Sequence, residues 1–203
     1  MERKPAKVGD ISKGRAGKIC QWTERKEGQR AVEVFKFSKK GDGGETSLLT
    51  GERVSKGSLR PETYGTLDEA SSVLGLAKAF STNERLRAIM HTIQEDLLVL
   101  GAQLAGTREK SSDWKVENRH VDRLEEWIEA LQHEVPLPRR FILPGANPVS
   151  AALDMARTVV RRAERCAVRL KEEGLMEEPL VHAYLNRLAD LLFTMARYAE
   201  KHP

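Results

Sequence analysis

The chain of 203 residues carries 34 Lys and Arg against 30 Asp and Glu, a formal net charge of +4, with 32% charged residues and only 5% aromatics. This length suits one domain with a sizeable core, and this composition suits a helical protein with wide solvated faces rather than a β-sandwich. The modest, interspersed charge does not require nucleic acid as a partner, and no run approaches the roughly 18 apolar residues of a membrane span.

Residues 1–35 form an N-terminal extension rich in Lys, Arg, Gly and Glu, without an apolar targeting core. Its alternation on either side of Glu27-Gly28 leaves a weak hairpin and disorder both open, and predicts no function. Cys20 and Cys166 lie far apart and outside metal-ligand spacing, so reduced thiols and a cytoplasmic location are expected, with no zinc site. Residues 38–51, SKKGDGGETSLLTG, hold four glycines among small hydroxyl residues. The segment is expected to be a loop rather than regular helix, its backbone N–H groups able to face an anion beside Lys39 and Lys40. It lacks the GKS or GKT of a Walker A motif, and taken alone it is better read as a flexible surface loop.

From here the sequence predicts helices. Thr66 with Glu69 forms a capping box that starts a helix reaching about Phe80, with Asp68 in its first turn complementing the dipole. Ser81 with Glu84 offers a second box, followed by an apolar stripe from Leu86 to Leu104 and a stop at Gly106. A third helix is predicted from about Val116 to His133, ending before Pro136. Asn147-Pro148 caps and opens a fourth, with Gly174 as its C-terminal signal, and Pro179 opens a fifth. Five helices with short connections predict an all-α, five-helix up-and-down bundle preceded by the irregular extension and loop, with residues 36–203 as the helical domain.

Two helices carry polar groups at the edge of their apolar stripes. On the fourth, Leu153, Ala156, Val160, Ala163, Ala167 and Leu170 share the inner face, and Arg162, Arg165 and Arg169 fall opposite. Arg157, Arg161 and Glu164 lie between, where a half-desolvated guanidinium needs a carboxylate or phosphate; a polyphosphate ligand would meet that need. On the fifth, Asn186 and Asp190 are i,i+4 neighbours beside Arg187, and spacing leaves a register-fixing polar pair and a ligand-binding role equally open. Glu117-x-x-His120 supplies half of a di-iron carboxylate pattern, but the second such motif is absent.

Three ordered blocks, SKKGDGGETSLLTGERVSK with YGTLDE, then RFILPGANPVSAALDMARTVVRRAER, then LNRLADLLFTMARYA, closely resemble the PduO-type ATP:cob(I)alamin adenosyltransferases over roughly residues 36–200. The resemblance implies a helical bundle of the cobalamin adenosyltransferase type, assembled as a homotrimer with active sites between subunits. It also implies transfer of the 5′-deoxyadenosyl group of ATP to the cobalt of a reduced corrinoid, with release of triphosphate. Magnesium is expected to be held mainly by ATP rather than by protein ligands, and no metal ligand is assigned. A corrin reductase and an adenosylcobalamin-dependent client enzyme are the implied partners.

By position, the loop residues Ser38, Lys39, Lys40, Gly41, Asp42, Gly44 and Thr46, with Lys56, resemble the family's ATP-binding segment. Arg161 and Asn186 match nucleotide contacts, and Arg162 and Glu164 belong to the same RRAER signature. Asp68 and Arg157 match a pair that bridges the subunit interface, and Phe141 matches the aromatic on the lower face of the corrinoid. Ser38 replaces a usual threonine, and Ala146 replaces the second glycine of a Leu-Pro-Gly-Gly turn, which puts a Cβ where a positive φ would be strained. The competing expectation is a bundle that binds ATP or corrinoid as a carrier or sensor without catalysing transfer.

Overall fold

The computed structural model describes residues 21–27, 30–36, 39–106 and 114–202. Strands β1 (Gln21–Glu27) and β2 (Arg30–Lys36) pair antiparallel with Glu27 opposite Arg30, the hairpin alternative for the extension. The glycine-rich segment is more ordered than expected. A 3₁₀ turn at Lys39–Gly41 leads into β3 (Glu45–Ser47), which pairs antiparallel with β4 (Arg53–Ser55). Gly44 and Gly51 take φ of +83° and +86°, values at which a Cβ would be strained.

Five helices follow: α1 (Leu59–Phe80), α2 (Glu84–Leu104), α3 (Asn118–Glu134), α4 (Pro148–Glu172) and α5 (Pro179–Lys201). The first begins seven residues before the expected Thr66. Ser58 is its N-cap, and Pro61 is harmless because first-turn N–H groups have no intrahelical acceptor. The Thr66 hydroxyl instead donates to the Glu62 carbonyl at 2.7 Å inside the helix. Likewise Asn83, not Ser81, caps α2, its Oδ1 accepting from Leu86 N at 3.1 Å, while Ser81 is the C-cap of α1. Asn147 caps α4 as expected, accepting from Ser150 N at 2.8 Å. Its Nδ2 also donates to the Ala199 carbonyl at 2.8 Å, which ties the start of α4 to the end of α5.

Ion pairs fix the directions. Glu62–Arg169 and Glu69–Arg162 set α1 antiparallel to α4, Asp154–Arg197 with the Asn186–Glu164 hydrogen bond sets α4 antiparallel to α5, and Asp96–Arg123 with Arg85–Glu134 sets α2 antiparallel to α3. Gln94 donates to the Ser71 carbonyl and Arg87 to that of Lys78, so α1 is antiparallel to α2 as well and the helices alternate in direction along the chain. Their packing does not follow sequence order throughout: α1 packs on both α2 and α4, α4 on α5, and α5 on α3. The predicted apolar stripe of α4 is buried throughout, and so are Leu185, Leu188, Leu192, Met195 and Ala199, spaced along one face of α5.

Two groups of buried charge are new. Asp96 on α2, 5% exposed, accepts both oxygens' bonds from Arg123 Nη2 at 2.7 and 2.6 Å and a third from the fully buried Tyr184 hydroxyl at 2.9 Å. Burial and the adjacent Asp96 carboxylate push the Tyr184 pKa well above the ordinary phenol range. Asp154 on α4 and Arg197 on α5 form the second group. Arg60 closes the base of the bundle. Its guanidinium donates to the carbonyls of Leu104 at 3.0 Å and Gly106 at 2.7 Å, and also to that of Leu175, satisfying acceptors at the ends of α2 and α4.

Candidate active site

A cleft of about 420 Å³ opens between α3, α4 and α5. Its charged lining comprises Arg157 and Arg161 from α4, Arg187 and Asp190 from α5, and Glu125 and Glu129 from α3. Ile128, Leu137 and Phe193 form an apolar wall. The cleft therefore joins a charged lining of three arginines and three carboxylates to apolar side chains able to meet a flat, largely apolar ligand face.

Arg157 is half-buried, as its seam position predicts, and pairs within the chain with Asp154 at 3.7 Å. Arg161 also lines the cleft but is exposed, one step further out than expected. Glu164 accepts from Asn186 Nδ2 at 3.3 Å, and Asn186 Oδ1 accepts from Arg187 Nη1 at 3.2 Å. Arg187 Nε in turn donates to Glu125 at 2.6 Å, and this bond raises the Arg187 pKa. Asn186 and Asp190 are both exposed, so they do not form the buried register-fixing pair that spacing left open.

Arg162 turns away from the cleft to Glu69, and Arg169 to Glu62 at 3.6 Å. The face expected to be solvated thus straddles α1. His182, near the start of α5, has a pKa held below the ordinary imidazole value chiefly by burial and secondarily by Lys171, against an opposing pull from Glu164. Burial raises the Cys166 thiol pKa, which disfavours a thiolate nucleophile.

The glycine-rich segment lies elsewhere, against the start of α1 and the end of α2. Leu48 is buried, and Leu49 N donates to the Ala105 carbonyl at 3.2 Å. Within it, Lys56 N donates to Gly44 O at 2.8 Å, and the Lys56 ammonium lies so close over Gly41 that a Cβ there would stand 3.1 Å from Nζ. Lys39, Asp42 and Gly44 are exposed, as is Lys40, whose carbonyl accepts from Arg53 at 3.0 Å. Thr46 is half-buried and hydrogen-bonds Tyr64, whose pKa is raised by burial and drawn back by that bond. Ser38 lies outside the described residues. No residue of this segment lines the cleft, so one chain does not bring the two candidate regions together.

Asp68 is exposed on α1, and its carboxylate meets no cation among the described residues. Phe141 and Leu143 are fully exposed in the connection from α3 to α4, downstream of the cleft residue Leu137. The turn that follows carries no strain at Ala146. Gly145 takes the left-handed φ of +107°, and among the described residues no non-glycine has positive φ.

The sequence also gave Glu117 and His120 as half of an iron pattern. Here Glu117 N donates to His120 Nδ1 at 2.9 Å, so the pair caps α3. Among the described residues no group of three or more His, Cys, Asp or Glu is placed to hold a metal ion, and no helix is long and apolar enough to cross a membrane. Asp154, Arg187, Glu125 and Phe193 were not singled out as site residues beyond Arg187's place beside Asn186. Asp154 at i−3 from Arg157 and Arg187 next to Asn186 were the only local signals available.

Residues 36–199 match the family model described as cobalamin adenosyltransferase. The chain is 42% identical over 165 residues to the corrinoid adenosyltransferase of Bacillus subtilis, covering 79% of this chain and 84% of the relative. It is 37% identical over 171 residues to that of Mycobacterium leprae, covering 80% and 90%. Among solved structures, a variant PduO-type ATP:corrinoid adenosyltransferase from Lactobacillus reuteri complexed with cobalamin and ATP superposes with a TM-score of 0.76 at 34% identity, over 81% of this chain and 90% of that one.

Proposed function

Because the chain belongs to the cobalamin adenosyltransferase family, we infer that its cleft and glycine-rich loop serve one reaction, transfer of the 5′-deoxyadenosyl group of ATP to the cobalt of a corrinoid. The observation that carries this reading is the cleft itself, which brings the guanidinium groups of Arg157, Arg161 and Arg187 together with Ile128, Leu137 and Phe193. Cobalt(I) of the substrate attacks C5′ of ATP, the C5′–O bond breaks with its electron pair leaving on triphosphate, and a Co–C bond forms. The protein needs no nucleophile of its own, in keeping with a buried Cys166 whose pKa is raised. Its tasks are to hold C5′ in line with cobalt and to offset charge on the departing triphosphate.

We assign Arg161, Asn186 and Glu164 to the nucleotide, with Arg162 as a neighbour of the same signature. Ser38, Lys39, Lys40, Gly41, Asp42, Gly44, Thr46 and Lys56 are assigned to the loop that covers its phosphates. Magnesium enters this scheme as an ion carried by the triphosphate. Bound there, it would neutralise phosphate charge. Phe141 is assigned to the lower face of the corrinoid, where an apolar ring excludes water and a lower axial ligand and so favours four-coordinate cobalt.

A complete site is proposed to form between copies in a homotrimer. The cleft and the loop are separated within one chain, and Asp68 is exposed and ready for Arg157 of a neighbour. Leu76, Phe80, Leu98 and Met155 are exposed apolar groups that assembly would cover. Residues 36–203 are proposed as the catalytic domain and 1–35 as an appended segment. A one-electron corrin reductase would supply the substrate and an adenosylcobalamin-dependent enzyme would take the product, in the cytoplasm.

The test mixes purified protein with chemically reduced cob(I)alamin, magnesium and ATP without oxygen. The corrinoid spectrum should report Co–C bond formation, with one triphosphate released per bond. Binding of ATP and corrinoid without triphosphate release would replace the transferase by a carrier or sensor.

A further inference from the structure

A run of alternating charge, buried at Asp154 and Arg197, ends at Arg157 in the cleft, and the chemistry above uses only that last residue. Asp154 Oδ2 accepts from Arg197 Nη2 at 2.6 Å, and the two side chains are 5% and 3% exposed. The same Arg197 nitrogen lies 2.9 Å from Glu200, so two carboxylates flank one buried guanidinium. The second oxygen of Asp154 faces Arg157 Nε at 3.7 Å. Two acids and two bases thus form a neutral set, as burial demands.

We propose that Asp154 is a positioning residue that aims Arg157 into the cleft, with Arg197 and Glu200 holding Asp154 in place. Arg157 Nε is buried and has no hydrogen-bond partner, so the Asp154 carboxylate is what balances its inner end. Anchoring a planar guanidinium by Nε leaves its two Nη groups directed outward, where an acidic group of a neighbour or a phosphate can meet them. At 3.7 Å the anchor is electrostatic and leaves Arg157 free to adjust as that outer partner arrives. A tie between α4 and α5 alone would need only Asp154 and Arg197. The chain of charge goes further: it reaches Arg157, and the Arg197 guanidinium also lies 5.2 Å from the ring centre of Phe193, another wall of the cleft.

The proposal rests on the reading of Arg157 as the cleft residue that meets Asp68 of a neighbour beside the ATP site, and a double-mutant cycle on the full-length protein tests it. Wild type, Asp154→Asn, Arg157→Ala and the double variant are compared for ATP binding by calorimetry with magnesium present, for KM of ATP and of cob(I)alamin, and for thermal melting. Asp154→Asn should weaken ATP binding about 5- to 20-fold with Arg157 present, and by less than about 2-fold in the Arg157→Ala background. The KM for the corrinoid should hold within about 2-fold. Melting should fall similarly in both backgrounds, because Arg197 loses the Asp154 carboxylate in each and keeps only Glu200. An equal loss of ATP binding in both backgrounds, or none in either, overturns the proposal.

If Asp154→Asn does not fold, Asp154→Glu keeps the charge for Arg197 and displaces it by one methylene. It should weaken ATP binding only when Arg157 is present, and unchanged binding there also overturns the proposal. Because calorimetry needs no turnover, a wild type that binds ATP without transferring refutes the transferase assignment alone. A cycle without coupling refutes the role of Asp154 alone.

Discussion

Asp96→Ala is expected to be among the most destabilising single substitutions in the bundle. The carboxylate joins three helices, accepting two bonds from Arg123 on α3 and one from Tyr184 on α5. Its loss leaves a fully buried tyrosine hydroxyl without an acceptor, worth about 1–3 kcal/mol. It also strands the Arg123 guanidinium. That group is about a third exposed and lies 5.4 Å from the Trp127 ring centre, so its cost falls below the ~3–5 kcal/mol of breaking a fully buried pair. Together these give about 3–4 kcal/mol, against a total stability on the order of 5–15 kcal/mol.

Asp96→Asn retains one acceptor and should cost about half as much, and Tyr184→Phe, which leaves the Arg123 pair intact, about 1 kcal/mol. Urea unfolding followed by circular dichroism at fixed protein concentration measures all three, concentration being held because assembly is linked to stability. Since α3 supplies Glu125, Ile128 and Glu129 to the cleft, the same alanine variant should raise the KM for the corrinoid more than that for ATP. A loss below about 1 kcal/mol, or the same loss when Tyr184 is already phenylalanine, would refute the shared-carboxylate account.

Arg161→Ala should lower kcat/KM for ATP about 10- to 100-fold through loss of a charged hydrogen bond to phosphate, and unchanged ATP kinetics would remove Arg161 from the site. Phe141→Ala removes a fully exposed side chain, so stability should move by less than about 0.5 kcal/mol while four-coordinate cob(II)alamin fails to form. An unaltered cob(II)alamin spectrum on ATP binding would contradict its role. Gly41→Ala pushes the flexible end of Lys56 aside, so ATP affinity should drop several-fold in a titration with little change in melting. His182 titrates below its ordinary value in the folded chain, so its stabilising effect is full above about pH 6.5 and is lost as pH falls. His182→Gln should therefore flatten the decline in melting temperature between about pH 7 and pH 5, and an unchanged slope would count against it.

What the sequence determined by itself was whatever depends on near neighbours in the chain. Asn147-Pro148 marks a helix start because cap and first turn are consecutive, and the stripes of α4 and α5 are legible because burial repeats every turn. The arginine seam was legible for the same reason, since Arg157 sits at the edge of a stripe that the residues around it define. Local signals also misled: Thr66 with Glu69 reads as a capping box, yet packing of buried Leu59 and Thr63 extends α1 by two turns to an N-cap position at Ser58 that makes no side-chain capping bond.

The tertiary structure alone decided the partners of buried charge. Asp96 lies 27 residues from Arg123 and 88 from Tyr184, and Asp154 lies 43 from Arg197. It also decided that Arg162 would face Glu69 rather than water, because α4 packs against α1, which is far from it in sequence. Helix formation is written in i to i+4 spacing, whereas the pairing of a buried charge is settled by which helices meet and how far each is turned about its axis.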